Sequence, residues 1–218
     1  MNLRRLILRD LGVSMAVIML GLFLASCRSS ESASTPPLSP TSPPPQRVIS
    51  APGFELTNQF GQMTSLSQLR GKVVILTFLY TNCPDTCPLY ISNIQLAMTE
   101  LGSSADEVAL MAITVDPERD SVETLREYTS SLPFSWLYLT GEPEQLKAVW
   151  SEYGIYVEKL EEETTAGHSH AGHEGYEVIH TTIVKLIDRD GDIGADLIGW
   201  NWQAGELIEK LRPLLTEK

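Results

Sequence analysis

Two cysteines, Cys83 and Cys87, stand four positions apart in TFLYTNCPDTCPLY, residues 77–90, and the only other cysteine of the 218-residue chain is Cys27. A thiolate can exchange with disulfides, hold a soft metal ion such as monovalent copper, or lock a fold by oxidation. The spacing bears on the choice. With two intervening residues, a second thiol readily attacks a mixed disulfide formed by the first. Three intervening residues, with Pro84 inside the loop and Pro88 just beyond it, open the loop, so that the sulfurs converge on an ion while staying near enough to oxidise. A purely structural disulfide would close so short a loop that it removes little unfolded-chain entropy. All four histidines also fall within 13 residues, His168, His170 and His173 in HSHAGH and His180 just before TTIVKLI. Taken alone, a histidine at a strand start is more often an ordinary polar residue than a ligand. A short His-rich tract commonly binds metal.

These side chains need a scaffold. KVVILTFLY, residues 72–80, is a continuous apolar and β-branched run, the mark of a strand buried on both faces. The cysteines follow it, and Pro88 suits the first turn of a helix running to about Leu101. They therefore lie beyond the carboxyl end of a central strand, where open α/β sheets bind ligands. The amides and dipole of the helix start are expected to stabilise thiolate. Upstream, FELTNQFGQMTSL reads as a hairpin turning at Asn58 to Gly61. Downstream, VALMAITVD (108–116) reads as a second buried strand. SVETLREYTSSL and EPEQLKAVWSEYG read as amphipathic helices with the short strand SWLYLTG between them. TTIVKLIDRDGDIGADLIGW reads as a hairpin turning at Asp190-Gly191, and a last helix starts near Gln203. The pattern predicts one α/β domain, a mixed central sheet flanked by helices on both faces. EEETTAGHSHAGHEGYE, between the third helix and TTIVKLI, is rich in Gly and Glu without periodicity and reads as a loop.

The N-terminus places the chain. Arg4, Arg5 and Arg9 precede an apolar run from Leu11 to Leu24 that is short for a membrane span, the pattern of an export signal. LASC, residues 24–27, resembles the lipobox of bacterial lipoproteins, which implies a signal peptide over 1–26 and lipidation of Cys27. The alternative is a retained single transmembrane anchor helix. Either way the rest of the chain is expected on the extracytoplasmic face of the plasma membrane, with Cys83 and Cys87 its only remaining pair. Residues 28–50 are Pro- and Ser-rich, with six of the chain's 13 prolines in residues 28–47. They read as a semi-rigid tether whose 20 proline-rich residues reach about 60 Å at about 3.1 Å each. The folded domain is expected over 51–218. Loss of the signal takes three arginines and Asp10, so the net charge of −12 becomes about −14. Such an acidic chain repels nucleic acid, which excludes that class of partner.

TFLYTNCPDTCP, ITVDPERDSVETLREY, FSWLYLTG and YEVIHTTIVKLID, in that order from about Ala51 to Leu214, resemble the Sco (SenC-type) copper chaperones of cytochrome c oxidase assembly. The resemblance implies a thioredoxin-like fold with an inserted β-hairpin and a membrane-attached extracytoplasmic head. It implies copper, Cu(I) or Cu(II), held by the Cys83 and Cys87 thiolates and the His180 imidazole. Such a trigonal set suits both oxidation states, since nitrogen favours the divalent ion. It implies delivery to the CuA site of cytochrome c oxidase subunit II, with other copper chaperones as further partners. Delivery by ligand exchange requires no turnover chemistry. The alternatives that use the same thiols are a thiol–disulfide oxidoreductase reducing the target's copper-ligand cysteines, and a copper or redox sensor. His168, His170 and His173 are not part of the family pattern. They read as an auxiliary site for divalent copper or as incidental residues of a hydrophilic loop. Asp85 belongs to the motif, where it tunes thiolate basicity, meets a partner or simply solvates the loop. Asp116 is expected to cap the next helix or brace the site loop. DRDGD, 188–192, has its glycine too early for a calcium loop and reads as a hairpin turn. The four tryptophans read as core or rim packing.

Overall fold

The computed structural model describes residues 49–84, 86–161 and 176–216. The signal segment, Cys27, most of the tether, Asp85 and His168, His170 and His173 lie outside the described residues. The strands are β1 (Glu55–Asn58), β2 (Met63–Ser65), β3 (Val73–Leu79), β4 (Val108–Thr114), β5 (Trp136–Thr140), β6 (Val157–Glu161), β7 (Tyr176–His180), β8 (Ile183–Ile187) and β9 (Ile193–Ile198). The helices are α1 (Thr86–Leu101), α2 (Val122–Ser130), α3 (Pro143–Tyr153) and α4 (Ala204–Thr216).

Seven strands form one sheet in the order β2-β1-β5-β4-β3-β8-β9. β3, β4 and β5 run parallel, and β8 is antiparallel to β3, so the sheet is mixed. All seven residues of β3 are buried, as its unbroken apolar run requires of a central strand. Its Phe78 meets Tyr153 of α3, whose ring also meets Phe54 and whose hydroxyl donates to the Pro52 carbonyl at 2.7 Å. Helices α1 and α4 pack together, with Tyr90 edge-on to Trp202.

Turn chemistry sets the register of the hairpins. Asn58 Oδ1 accepts from the backbone N–H groups of Phe60 and Gln62 at 2.9 and 3.1 Å, which folds the β1–β2 turn. Asp188 Oδ1 does the same for Asp190 and Asp192 in the β8–β9 turn, with Gly191 at φ +81°. DRDGD is thus a hairpin turn.

Helix α1 runs from Thr86 to Leu101 and so has Pro88 in its first turn, as expected, where the N–H that proline lacks is one that no intrahelical bond uses. One element differs from the sequence-based expectation. His180 does not stand directly at the start of β8. It ends a strand of its own, β7, which pairs antiparallel with β6 in register Val157↔His180 to Glu161↔Tyr176 and forms a separate two-stranded ribbon. Tyr176 and Glu177, read as loop from the sequence, belong to that ribbon.

Candidate metal centre

The segment between β3 and α1 is fastened from below by one acid. Asp120 is fully buried and accepts from the Thr81 N–H (3.2 Å), the Thr81 hydroxyl (2.5 Å) and the Thr114 hydroxyl (2.5 Å). Burial pushes its carboxyl up to about 6, against the pull of those threonine bonds. Thr81 is two residues before Cys83, so this network fixes where the loop departs from the sheet.

Cys83 and Cys87 are both thiols and lie together. Cys83 precedes the helix and is half-buried, whereas Cys87 is in the first turn of α1 and 2% exposed. The Cys87 backbone N–H donates to Cys83 Sγ at 3.3 Å, so the helix start directs an amide at the first sulfur. The hydrogen bond with Cys83, then burial, push the Cys87 thiol well above its ordinary value. For Cys87 this runs against the thiolate stabilisation expected from its place at a helix start, the neighbouring sulfur being the largest cause. Tyr80, buried at the end of β3, reaches the same place. Its hydroxyl bonds the Cys83 sulfur and its ring stands edge-on to the His180 ring at 6.0 Å. Burial, and then the charge of the two sulfurs, raise the Tyr80 hydroxyl far above its ordinary range, so it stays a donor.

His180 and Cys83 both line a cavity of about 200 Å³, together with Tyr80, Glu177 and Thr182. Its Nδ1 lies 3.0 Å from the Thr181 carbonyl. A carbonyl only accepts, so Nδ1 carries the proton and the lone pair is left on Nε2. Burial lowers the pKa of the ring and keeps it neutral. That is the tautomer and charge state a metal ligand needs. Among the described residues, no three histidine, cysteine or acidic side chains stand within common reach of one ion. A shared ion therefore requires the imidazole and the two sulfurs to come closer together than they stand here.

A profile of the family described as SCO1/SenC matches residues 43–216. The chain belongs to the SCO1/SenC family. An SCO2-like protein of Rickettsia prowazekii is 30% identical over 138 residues, a match covering 63% of this chain and 64% of that one. The copper-bound structure of Bradyrhizobium japonicum ScoI superposes with a TM-score of 0.63 and 31% identity, over 76% of this chain and 99% of that one. BsSco, described as a member of the Sco family of cytochrome c oxidase assembly proteins with a disulfide switch, has a TM-score of 0.59. It is 23% identical over 79% of this chain and 96% of its own, and at that identity it speaks for the fold alone. The fold is the thioredoxin-like α/β fold of the Sco domains, a mixed sheet with four flanking helices.

Within this SCO1/SenC domain the structure brings Cys83 and His180 to one cavity, with Cys87 buried behind Cys83 and bonded to it through its backbone N–H. Asp116, expected to cap α2 or brace the site loop, does neither. Ser121 caps α2 by accepting from the Thr124 N–H at 3.1 Å, Asp120 braces the loop, and Asp116 accepts instead from the Tyr176 hydroxyl at 2.7 Å. Sequence reasoning missed Asp120, Tyr80 and Tyr176. The available signal was the second aspartate of DPERD and the tyrosine that alternates onto the His180 face of YEVIH. Trp136 and Trp202 are core residues and Trp150 is half-buried, but Trp200 is 62% exposed.

Proposed function

We propose that this chain is a membrane-tethered extracytoplasmic copper carrier that hands copper to the CuA site of cytochrome c oxidase subunit II. Copper is its cargo. In this reading Cys83 and Cys87 hold monovalent copper as thiolates and His180 supplies Nε2 as the third ligand. The donor set fits: two soft sulfurs suit the monovalent ion, and the added imidazole lets the site keep the divalent one. What carries the reading is the neutral His180, its Nδ1–H spent on Thr181, on the same cavity as Cys83. A dithiol reductase has no use for that imidazole. Loading releases the thiol protons, that of Cys87 against the hold of the neighbouring sulfur and of burial. Release proceeds by ligand exchange, the target's cysteines and histidines replacing His180 first and the sulfurs after it. The lipid on Cys27 and the tether over 28–50 would let the head reach a membrane-bound acceptor.

A second reading is favoured by the contact between the two sulfurs. The Cys83 thiolate attacks a target disulfide sulfur, the S–S bond breaks, and one target thiolate leaves. Cys87 then gives up its proton and attacks the Cys83 sulfur, releasing the second target thiolate as the Cys83–Cys87 disulfide forms. The discriminating experiment mixes the copper-loaded chain with a metal-free, fully reduced subunit II CuA domain, and in parallel mixes the copper-free dithiol with the same domain in its disulfide form. Appearance of the CuA absorption in the first mixture once an added one-electron oxidant has taken the reduced centre to its mixed-valence state, lost with His180→Ala, supports delivery. Thiol exchange in the second alone, indifferent to His180→Ala, makes the chain a reductase.

A further inference from the structure

The ribbon β6–β7 carries His180 yet is not part of the seven-stranded sheet. Along β7, Tyr176, Val178 and His180 share the inward face: Val178 is buried and the other two half-buried, whereas Glu177 and Ile179 are exposed. At its His180 end the ribbon runs straight into β8, and the Thr181 N–H and the Tyr156 N–H hold it through reciprocal bonds of 2.9 Å, to Tyr156 O and Thr181 Oγ1. Its other end lies about 13 Å further along the strand. There Tyr176 is held through its hydroxyl, its ring and its carbonyl. Its hydroxyl donates to Asp116 Oδ1 at 2.7 Å, and Asp116 is 3% exposed. Its ring lies 3.5 Å from the Arg119 guanidinium and 3.7 Å from the Lys159 ammonium, measured to the ring centre. Arg119 Nη2 donates to the Tyr176 carbonyl at 2.9 Å, and Arg119 also pairs with Asp116 at 3.6 Å. Lys159 in turn pairs with Glu118 at 2.7 Å. The loop after β4 and both strands of the ribbon thus meet on one tyrosine.

We propose that Tyr176, seated on Asp116, Arg119 and Lys159, is a positioning residue for the copper site: it fixes the roll of β7 and so the direction in which His180 faces Cys83. The inference rests on His180 being a copper ligand. Tyr176 and His180 project from the same face of one strand, so any roll of β7 about its axis moves both. A roll of about 20° carries an imidazole nitrogen roughly 2 Å, far beyond the tolerance of a metal–ligand bond. With Tyr176 seated, that roll is blocked and the backbone of His180 is held in place beside the cavity it shares with Cys83. The two thiolates supply most of the affinity for monovalent copper, whereas the divalent ion depends more on the nitrogen, so the clamp is felt chiefly by the divalent form.

The test uses the full-length chain in mild detergent, reduced and without oxygen. Tyr176→Phe loses the bond to Asp116 but keeps the stacked ring; Tyr176→Leu loses both. Monovalent copper affinity is read by competition with a chelator, and divalent copper by the sulfur-to-copper charge-transfer band and the electron paramagnetic resonance spectrum. The expected result is a monovalent affinity within about twofold of the parent and a divalent affinity weakened about tenfold, the low end for loss of a residue that orients a ligand. The effect is larger for Leu than for Phe, with spectra moving toward those of His180→Ala. An unchanged divalent spectrum in both Tyr176 variants overturns the proposal, as does proportionate weakening of both copper forms with a lowered unfolding temperature, which marks a merely structural role. If His180→Ala itself leaves the divalent spectrum unchanged, the ligand assignment falls and the proposal with it. If His180→Ala changes the spectrum and the Tyr176 variants do not, only the positioning role falls.

Discussion

Asp120 gives the domain a pH dependence whose size follows from its surroundings. Its carboxyl is raised from 3.8 to about 6, burial outweighing the bonds from Thr81 and Thr114. A carboxyl whose folded pKa stands above its unfolded value binds its proton more tightly when folded. Its contribution to stability is therefore complete below about pH 4 and is lost as pH rises through about 6. At about 1.36 kcal/mol for each pH unit between the two values, the loss is on the order of 3 kcal/mol. Asp120→Asn keeps the shape and a neutral acceptor for the threonine donors but cannot ionise. Relative to the parent it should therefore gain roughly 2.5 kcal/mol of stability between pH 4 and pH 7.5, part of the loss having already occurred by pH 4. Asp120→Ala removes the acceptor altogether. It leaves the Thr81 N–H and the hydroxyls of Thr81 and Thr114 buried without it, and should cost roughly 2–4 kcal/mol at pH 4. Urea unfolding of the reduced protein at the two pH values, with the slope held in common, measures both. Other titrating groups cancel in the difference between parent and Asn variant. A difference that stays constant from pH 4 to pH 7.5 would refute the reasoning and mean that Asp120 ionises normally.

Further consequences can be checked alongside. Tyr80→Phe removes the hydroxyl that bonds Cys83 but keeps the ring against His180; the dithiol should become about fivefold easier to oxidise, read as its equilibrium with glutathione, because a hydrogen bond that favours thiolate is gone. Phe78→Ala, at a buried central-strand residue packed on Tyr153, should destabilise by about 3–5 kcal/mol in the same urea assay. Tyr153→Phe, which loses only the bond to the Pro52 carbonyl, should cost about 1 kcal/mol.

The parts of this molecule legible in its sequence are those governed by local pattern. β3 announces itself because a strand covered on both faces has no polar alternation to hide it, and the β8–β9 turn because Asp188 and Gly191 carry the turn's own chemistry. The cysteine pair was legible for the same reason, its two members and their prolines being contiguous. What escaped was long-range. The strand β7 exists only because Val157 pairs with His180, and VEKLE alone does not reveal a partner across the intervening loop. Asp116 and Asp120, four residues apart in one motif, divide their labour according to what folds against each, a tyrosine 60 residues away and a threonine 39 residues before. The depressed pKa expected of a cysteine at a helix start failed for Cys87, the second sulfur being the largest cause of its rise.

The central claim is that two sulfurs and one imidazole nitrogen share a copper ion. The most direct measurement is X-ray absorption at the copper edge of the chain loaded with one equivalent of monovalent copper. The parent, His180→Ala, and a Cys83→Ser, Cys87→Ser double variant would be measured side by side. Two sulfur neighbours and one nitrogen in the parent, with the nitrogen lost in His180→Ala and binding abolished in the double variant, is the expected result. Two sulfurs and an unchanged shell in His180→Ala would contradict it and leave a dithiol whose chemistry is exchange alone.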